Sequence, residues 1–211
     1  MFDSRYAAFV SISALLVLSP GATLAVVTET ALGDGRAAAL RTVIGVGIGN
    51  ATLALASMLG MSVVLHQWPW ALEAVRVGGA VYLTYLGSRG LWSAIRGRGL
   101  PQERASAGRP LARSAGSHVA RGITTNLLNP SVVLFYMTLV PQFIVATDPF
   151  VARFLLLGAT HVAMSVVWQG SCAMAVGLLA ERMTRPAVRR SLEGVTGVVL
   201  IWLGLRLILR T

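Results

Sequence analysis

The sequence predicts an all-α integral membrane protein of six transmembrane helices, folded as two inverted three-helix repeats. Three observations carry that expectation. Of 211 residues 55% are hydrophobic and 12% charged, and the apolar residues come in long blocks, which excludes an ordinary globular domain. The 18 basic residues are all arginine and cluster between those blocks. Two of the blocks are interrupted by proline at corresponding places in the two halves, which is the sequence mark of a repeat-built transporter with its site at the breaks.

The first block covers Tyr6–Thr28 and holds Leu18-Ser19-Pro20-Gly21 near its middle. Arg5 followed by an apolar run imitates a signal peptide, but the run continues past the Pro-Gly break and reads as a retained span. The second, Ala37–Leu65, contains Gly45-x-Gly47-x-Gly49 followed by Asn50. Small residues let helix backbones approach, and packing accounts for these glycines. An amide at mid-membrane depth is costly unless paired, so Asn50 is expected to face the bundle interior. The third covers Val75–Trp92, with Trp68, Trp70 and Trp92 as interfacial anchors.

The fourth, Gly122–Val145, has no charged side chain yet carries Asn126-Leu-Leu-Asn129-Pro130-Ser131. Pro130 lacks an amide hydrogen and clashes with the preceding turn, freeing carbonyls near Asn126 and Leu127 that lipid cannot satisfy. Val151–Leu179 and Leu192–Leu209 complete the six. Cys172, the single cysteine, lies in an apolar segment and excludes an intrachain disulfide.

Between the halves, residues 93–121 form an arginine-rich linker, giving repeats at 1–92 and 122–211. With no aromatics interleaved among its arginines, the linker reads as a solvated connector, and the net charge of +10 as topology instead of a nucleic-acid surface. Thirteen arginines fall on the side of this linker and five on the other. By the positive-inside rule the thirteen are cytoplasmic, which places both termini outside the cell's inner membrane.

The two breaks suggest a site. Helices restarting after Pro20-Gly21 and, in the opposite sense, after Pro130 would offer free amide hydrogens and a partial positive end to a carboxylate. Freed carbonyls and the side-chain oxygens of Asn50, Asn126 or Asn129 could take an ammonium group. Ser19, Pro20, Gly21, Thr23, Asn50, Asn126, Asn129 and Pro130 are therefore the candidate binding residues for a zwitterion. The bland alternative is that the prolines kink two helices and the asparagines cap them. His161 is the candidate for proton coupling, since its ordinary pKa of about 6.5 shifts readily across neutrality, although a lone histidine in a span is more often a hydrogen-bonded helix–helix contact.

Several motifs in order and spacing carry a family resemblance. They are Ser19-Pro20-Gly21, Gly33-x-x-Arg36 with the Gly45/Gly49-Asn50 helix, Gly79-Ala80-x-Tyr82-Leu83-x-Tyr85-Leu86-Gly87, Gly122-x-x-x-Asn126-Leu-Leu-Asn129-Pro130, and Pro141-Gln142-Phe143. From about Ser19 to Gly204 the chain resembles the LysE/RhtB family of amino-acid exporters. The resemblance implies a six-helix inner-membrane translocator that expels amino acids or related small metabolites, driven by the proton gradient. This chain departs from the family pattern at three positions. Pro20-Gly21-Ala22-Thr23 stands for Pro-Gly-Pro and an acidic or amide residue, Ser131 for the lysine after Asn-Pro, and Asn50 for an acid common in the second helix.

Without buried acids a cationic substrate is disfavoured, and without buried arginine a dianion, which leaves a neutral amino acid such as threonine, homoserine or leucine. The expected partners are that small molecule and the lipid bilayer, with a homo-oligomer left open and no nucleic acid. No cofactor or metal is expected, and no enzyme, because no His/Cys/Asp/Glu cluster or nucleophile elbow has the required spacing. A passive small-solute channel or a non-transporting membrane scaffold is the alternative.

Overall fold

The structure is a computed structural model and describes residues 3–19, 21–67, 71–96, 115–145, 147–175 and 186–208. Pro20, Trp68, Trp70, residues 97–114 of the expected linker and residues 176–185 lie outside that description. Among the described residues every regular element is helical. The helices are α1 (Ser4–Leu18), α2 (Ala22–Gly33), α3 (Arg36–Gln67), α4 (Ala71–Arg96), α5 (Ala115–Leu127), α6 (Pro130–Leu134), α7 (Phe150–Met174) and α8 (Pro186–Ile208).

By length and apolarity, Arg36–Met61 and Phe150–Met174 can each cross a membrane. Two bent pairs qualify as one span apiece, α1 with α2 at 48° and Gly116–Leu127 with Pro130–Phe143 at 58°. Both interruptions expected from the prolines are thus present as breaks between helices. α4 and α5 run further into the expected linker than its 93–121 bounds, since α4 ends at Arg96 and α5 begins at Ala115. α5 meets α3 in its second turn, at Val119 and Gly122.

Glycine decides where the long helices cross. A Cβ on Gly122 would collide with the Thr42 carbonyl oxygen, and one on Gly45 with that of Val119, so α3 and α5 touch backbone to backbone. On a neighbouring face of α3, Gly47 lies against Val166 of α7. α4 and α8 meet at a reciprocal contact, where a Cβ on Gly87 would stand 2.5 Å from the Gly197 carbonyl oxygen and one on Gly197 2.7 Å from that of Gly87. Close approach of this kind supplies van der Waals contact where lipid gives helices no hydrophobic reason to associate.

The outer surface is apolar. Ile44, Ile48, Leu55 and Leu59 form an exposed stripe along α3, with Val151, Leu155 and Val167 on α7 and Val195, Val198 and Trp202 on α8. The inner core gathers Phe9 and Ile12 of α1, Phe154 and Leu157 of α7, and Phe135, Tyr136, Leu139, Val140 and Phe143 from the segment after α6. That segment opens into a π-helical turn at Phe135–Leu139, in which the Val140 N–H reaches back to the Phe135 carbonyl. The wide turn puts the adjacent Phe135 and Tyr136 both on the buried side, where Phe9 packs on the rings of Phe135 and Phe143.

Charges gather at opposite ends of the bundle. At one end Arg153 Nη2 donates to Asp3 Oδ1 at 2.7 Å. Arg5 spans Asp3 and Asp148, with Nε donating to Asp3 Oδ2 at 2.9 Å and Nη1 to Asp148 Oδ2 at 2.7 Å. Asp3 also caps α1 through the Tyr6 N–H. At the other end Arg121 of α5 pairs with Glu29 of α2 at 2.8 Å and donates to Thr30 Oγ1 at 3.1 Å.

Candidate functional site

The two breaks, more than a hundred residues apart in sequence, meet. Asn129, in the gap between α5 and α6, has extended backbone and accepts the Ser131 N–H on Oδ1 at 3.1 Å, with Pro130 opening α6. Its Nδ2 then points to Thr23 in the first turn of α2, 3.5 Å from Oγ1. Gly21 is the N-cap of α2 and no side chain caps that helix, so the first-turn amide hydrogens of α2 lack the side-chain acceptor that α6 has. Ser19 ends α1, its N–H shared between the Leu15 and Leu16 carbonyls.

At the Pro130 break the backbone closes on itself more than expected. The Asn129 N–H takes the Asn126 carbonyl at 3.0 Å, and the Val132 and Val133 amides donate to the Asn129 carbonyl at 3.1 and 3.2 Å. With the Ser131 amide held by the Asn129 side chain, the start of α6 does not offer the free amide hydrogens anticipated for a carboxylate. The physical reason is the short asparagine ahead of proline, which folds back as an N-cap. Of the two restarts, α6 has a side-chain cap and α2 has none.

The remaining candidates lie on two faces of α3. Asn126 of α5 packs against Gly49, where a Cβ would stand 2.8 Å from Asn126 Cβ. It is 1% exposed and its Oδ1 has no hydrogen-bond partner. Asn50, the next residue along, faces α7 instead and donates from Nδ2 to Ser165 Oγ at 3.1 Å. Gln169 donates from Nε2 to the same Oγ at 3.0 Å. One turn before Ser165, His161 Nδ1 lies 3.1 Å from Ser13 Oγ of α1. The imidazole stacks on Phe135 with centroids 3.9 Å apart and meets Tyr136 edge-on.

The structure therefore brings Thr23 to Asn129 and Asn126 to the residue beside Asn50, while joining Asn50 and His161 to partners that sequence reasoning had passed over. Those are Ser13, Ser165 and Gln169. The missed signal is a ladder, since His161, Ser165 and Gln169 stand four apart in a largely apolar helix and so share one face. Among the described residues no group of three or more His, Cys, Asp or Glu side chains could hold a metal ion.

Comparison with known proteins adds to this geometry. The LysE type translocator family model matches residues 14–211, a stretch that contains both breaks together with Asn50, Asn126, Asn129, His161, Ser165 and Gln169. The chain belongs to the LysE type translocator family. Its similarity to the uncharacterized membrane protein YahN of Escherichia coli (strain K12) is 28% identity over 98% of this chain and 91% of the relative. The leucine efflux protein of Enterobacter sp. (strain 638) is 27% identical over 91% of this chain and 89% of its own length. For the threonine efflux protein of Escherichia coli (strain K12) the figures are 27%, with 92% of each chain covered. No solved structure matches the chain. As a LysE type translocator, the chain is a membrane protein with relatives that carry amino-acid efflux names, and its α2 start and buried amides lie inside the family-wide match.

Proposed function

We propose that this translocator exports small neutral amino acids, such as threonine, homoserine or leucine, from the cytoplasm as a proton-coupled secondary carrier. The observation that carries the reading is the meeting of the two broken helices at Thr23 and Asn129. Irregular backbone at membrane depth is stable only where it faces protein, water or a ligand, and paired breaks are where repeat-built carriers hold substrate. The uncapped start of α2 suits the carboxylate, and a side-chain oxygen of Asn50, Asn126 or Asn129 suits the ammonium. Leucine and threonine efflux relatives of similar length support the substrate class.

The carrier is read as six spans in inverted repeats, 1–92 and 122–211 about the linker 93–121, in the inner membrane with both termini outside. Support comes from the two bent pairs in corresponding places and from the reciprocal Gly87–Gly197 crossing, which is what two equivalent helices make across a pseudo-two-fold axis. For coupling, His161 is the assigned group. It bridges the broken first helix and α7 through Ser13, so a proton gained or lost there changes the contact between two elements that must move.

Counterflow tests the reading. Proteoliposomes of the full chain preloaded with labelled leucine, threonine or homoserine should exchange label saturably with external substrate, faster in the presence of unlabelled amino acid outside. Flux without such trans-stimulation identifies a passive channel, and no flux for any of the three identifies a scaffold.

A further inference from the structure

The Asn50–Ser165–Gln169 group has an unusual donor balance. Both amides spend an N–H on the same hydroxyl oxygen, at 3.1 and 3.0 Å, and both carbonyl oxygens, Asn50 Oδ1 and Gln169 Oε1, are left without a hydrogen-bond partner. Asn50 is 2% exposed, Ser165 4% and Gln169 7%. Buried polar atoms in native proteins are overwhelmingly paired, and each one left over costs free energy. Two amides that meet at one hydroxyl and leave both of their oxygens unpaired call for a donor-rich group.

From this geometry we infer that Asn50, Ser165 and Gln169 form an ammonium-binding subsite between α3 and α7, which takes the positively charged end of the exported amino acid. The inference rests on the export reading and assigns Ser165 and Gln169 to its site. An ammonium carries three donors and no acceptor, the complement of two free carbonyl oxygens. A carboxylate would meet those oxygens lone pair to lone pair. A hard metal cation takes six or more oxygens, well beyond what these two amides and a hydroxyl provide.

The backbone keeps the subsite narrow. A Cβ on Gly47 would come within 2.9 Å of Val166 Cγ2, and one on Gly158 within 3.3 Å of Ala54 Cβ, so α3 and α7 are held close on either side of Asn50 and Ser165. The opposite surface of α3 presents Ile44, Ile48 and Leu55 outward. An amide swinging away from Ser165 would meet either packed backbone or lipid, and neither offers its oxygen a donor.

The test compares an amino acid with its deaminated counterpart. In counterflow with L-leucine, L-threonine and L-homoserine, the best-exchanged substrate is challenged externally with itself and with its α-hydroxy acid, which keeps the carboxylate and loses the ammonium. Wild-type protein should prefer the amine. Gln169→Met, matched for reconstituted protein, should weaken the apparent affinity for the amine roughly tenfold to hundredfold, the worth of a hydrogen bond to a charged group, and leave the hydroxy acid little changed. Gln169→Glu keeps the size and strengthens the acceptor, so its preference for the amine should rise, which decides the matter if Gln169→Met fails to fold.

Unchanged amine preference in both variants overturns the subsite and assigns the two oxygens to ordered water, with export intact. Absence of exchange for all three amino acids in wild-type protein overturns the export reading itself, and the subsite with it.

Discussion

Asn129 has two jobs that a single substitution can separate. Its Oδ1 caps α6 while its Nδ2 reaches toward Thr23, so Asn129→Ala removes a cap, at about 1 kcal/mol, together with the contact between the breaks. Asn129→Ser retains a capping oxygen and loses the amide nitrogen. If the meeting of the breaks binds substrate, Asn129→Ser should reach the membrane at normal abundance and show apparent affinity weakened tenfold or more in counterflow. Normal affinity from normally abundant Asn129→Ser protein would leave the cap as its whole role. Asn50, Asn126 and Asn129 were legible in the sequence because an amide stands out in an apolar run. Ser165 and Gln169 do not stand out, since hydroxyls commonly bond their own helix and spacing alone does not say what a lone glutamine meets. Their pairing with Asn50 depends on which face of α3 meets α7, and that is fixed by Gly47 and Val166.

For the helices, crossings set by absent side chains give sharper expectations than crossings set by fit. Gly122→Ala puts a methyl into the Thr42 carbonyl and must push α5 off α3. Gly60→Ala adds its methyl where nothing lies within 4 Å and should stabilise α3 by up to about 1 kcal/mol through helix propensity. Membrane abundance and melting temperature in detergent should therefore fall sharply for Gly122→Ala and hold or rise for Gly60→Ala. Equal behaviour of the two would mean that α3 and α5 are not in backbone contact. The sequence showed both proline breaks and the glycine repeat of α3, because each follows from a covalent property of one residue. It did not show the wide turn at Phe135–Leu139, whose cause lies in tertiary packing as well as in Pro141. Nor did it show that α6 caps itself.

Across the whole molecule, the ends behave differently. Asp3 is held well below the usual carboxylate range by its hydrogen bond from Arg153 and then by the Tyr6 amide. Asp148 is lowered by Arg5 and by the Val145 amide. Carboxyls depressed in the folded state contribute stability that is fully present above their unfolded pKa of about 3.9 and is lost as pH falls through the folded value. Melting temperature in detergent should thus decline as pH drops below about 4, with a shallower decline for Asp3→Asn. The same slope in both proteins would detach this cluster from acid stability. Orientation has its own test. A cysteine placed in the 97–114 segment, with Cys172 replaced, should resist an impermeant thiol reagent in intact cells if the arginine-rich side is cytoplasmic. The arginine distribution gives an expectation of sidedness, and the contacts add which segments share an end, Arg121 with Glu29 and Arg153 with Asp3. The pairing between those charges needed the fold.

One consequence follows from which elements touch. The close crossings, α3 with α5, α3 with α7 and α4 with α8, each join the first half of the chain to the second. Among the described residues the larger core cluster draws on both halves, with Phe9, Ile12, Ala54 and Met58 packed among Phe143, Phe154 and Leu200. Contacts among the described helices should then hold the two halves together without a covalent link. Cut within residues 97–114 and expressed as two polypeptides, the protein should assemble as an obligate heterodimer, each fragment degraded when made alone and both retained when made together.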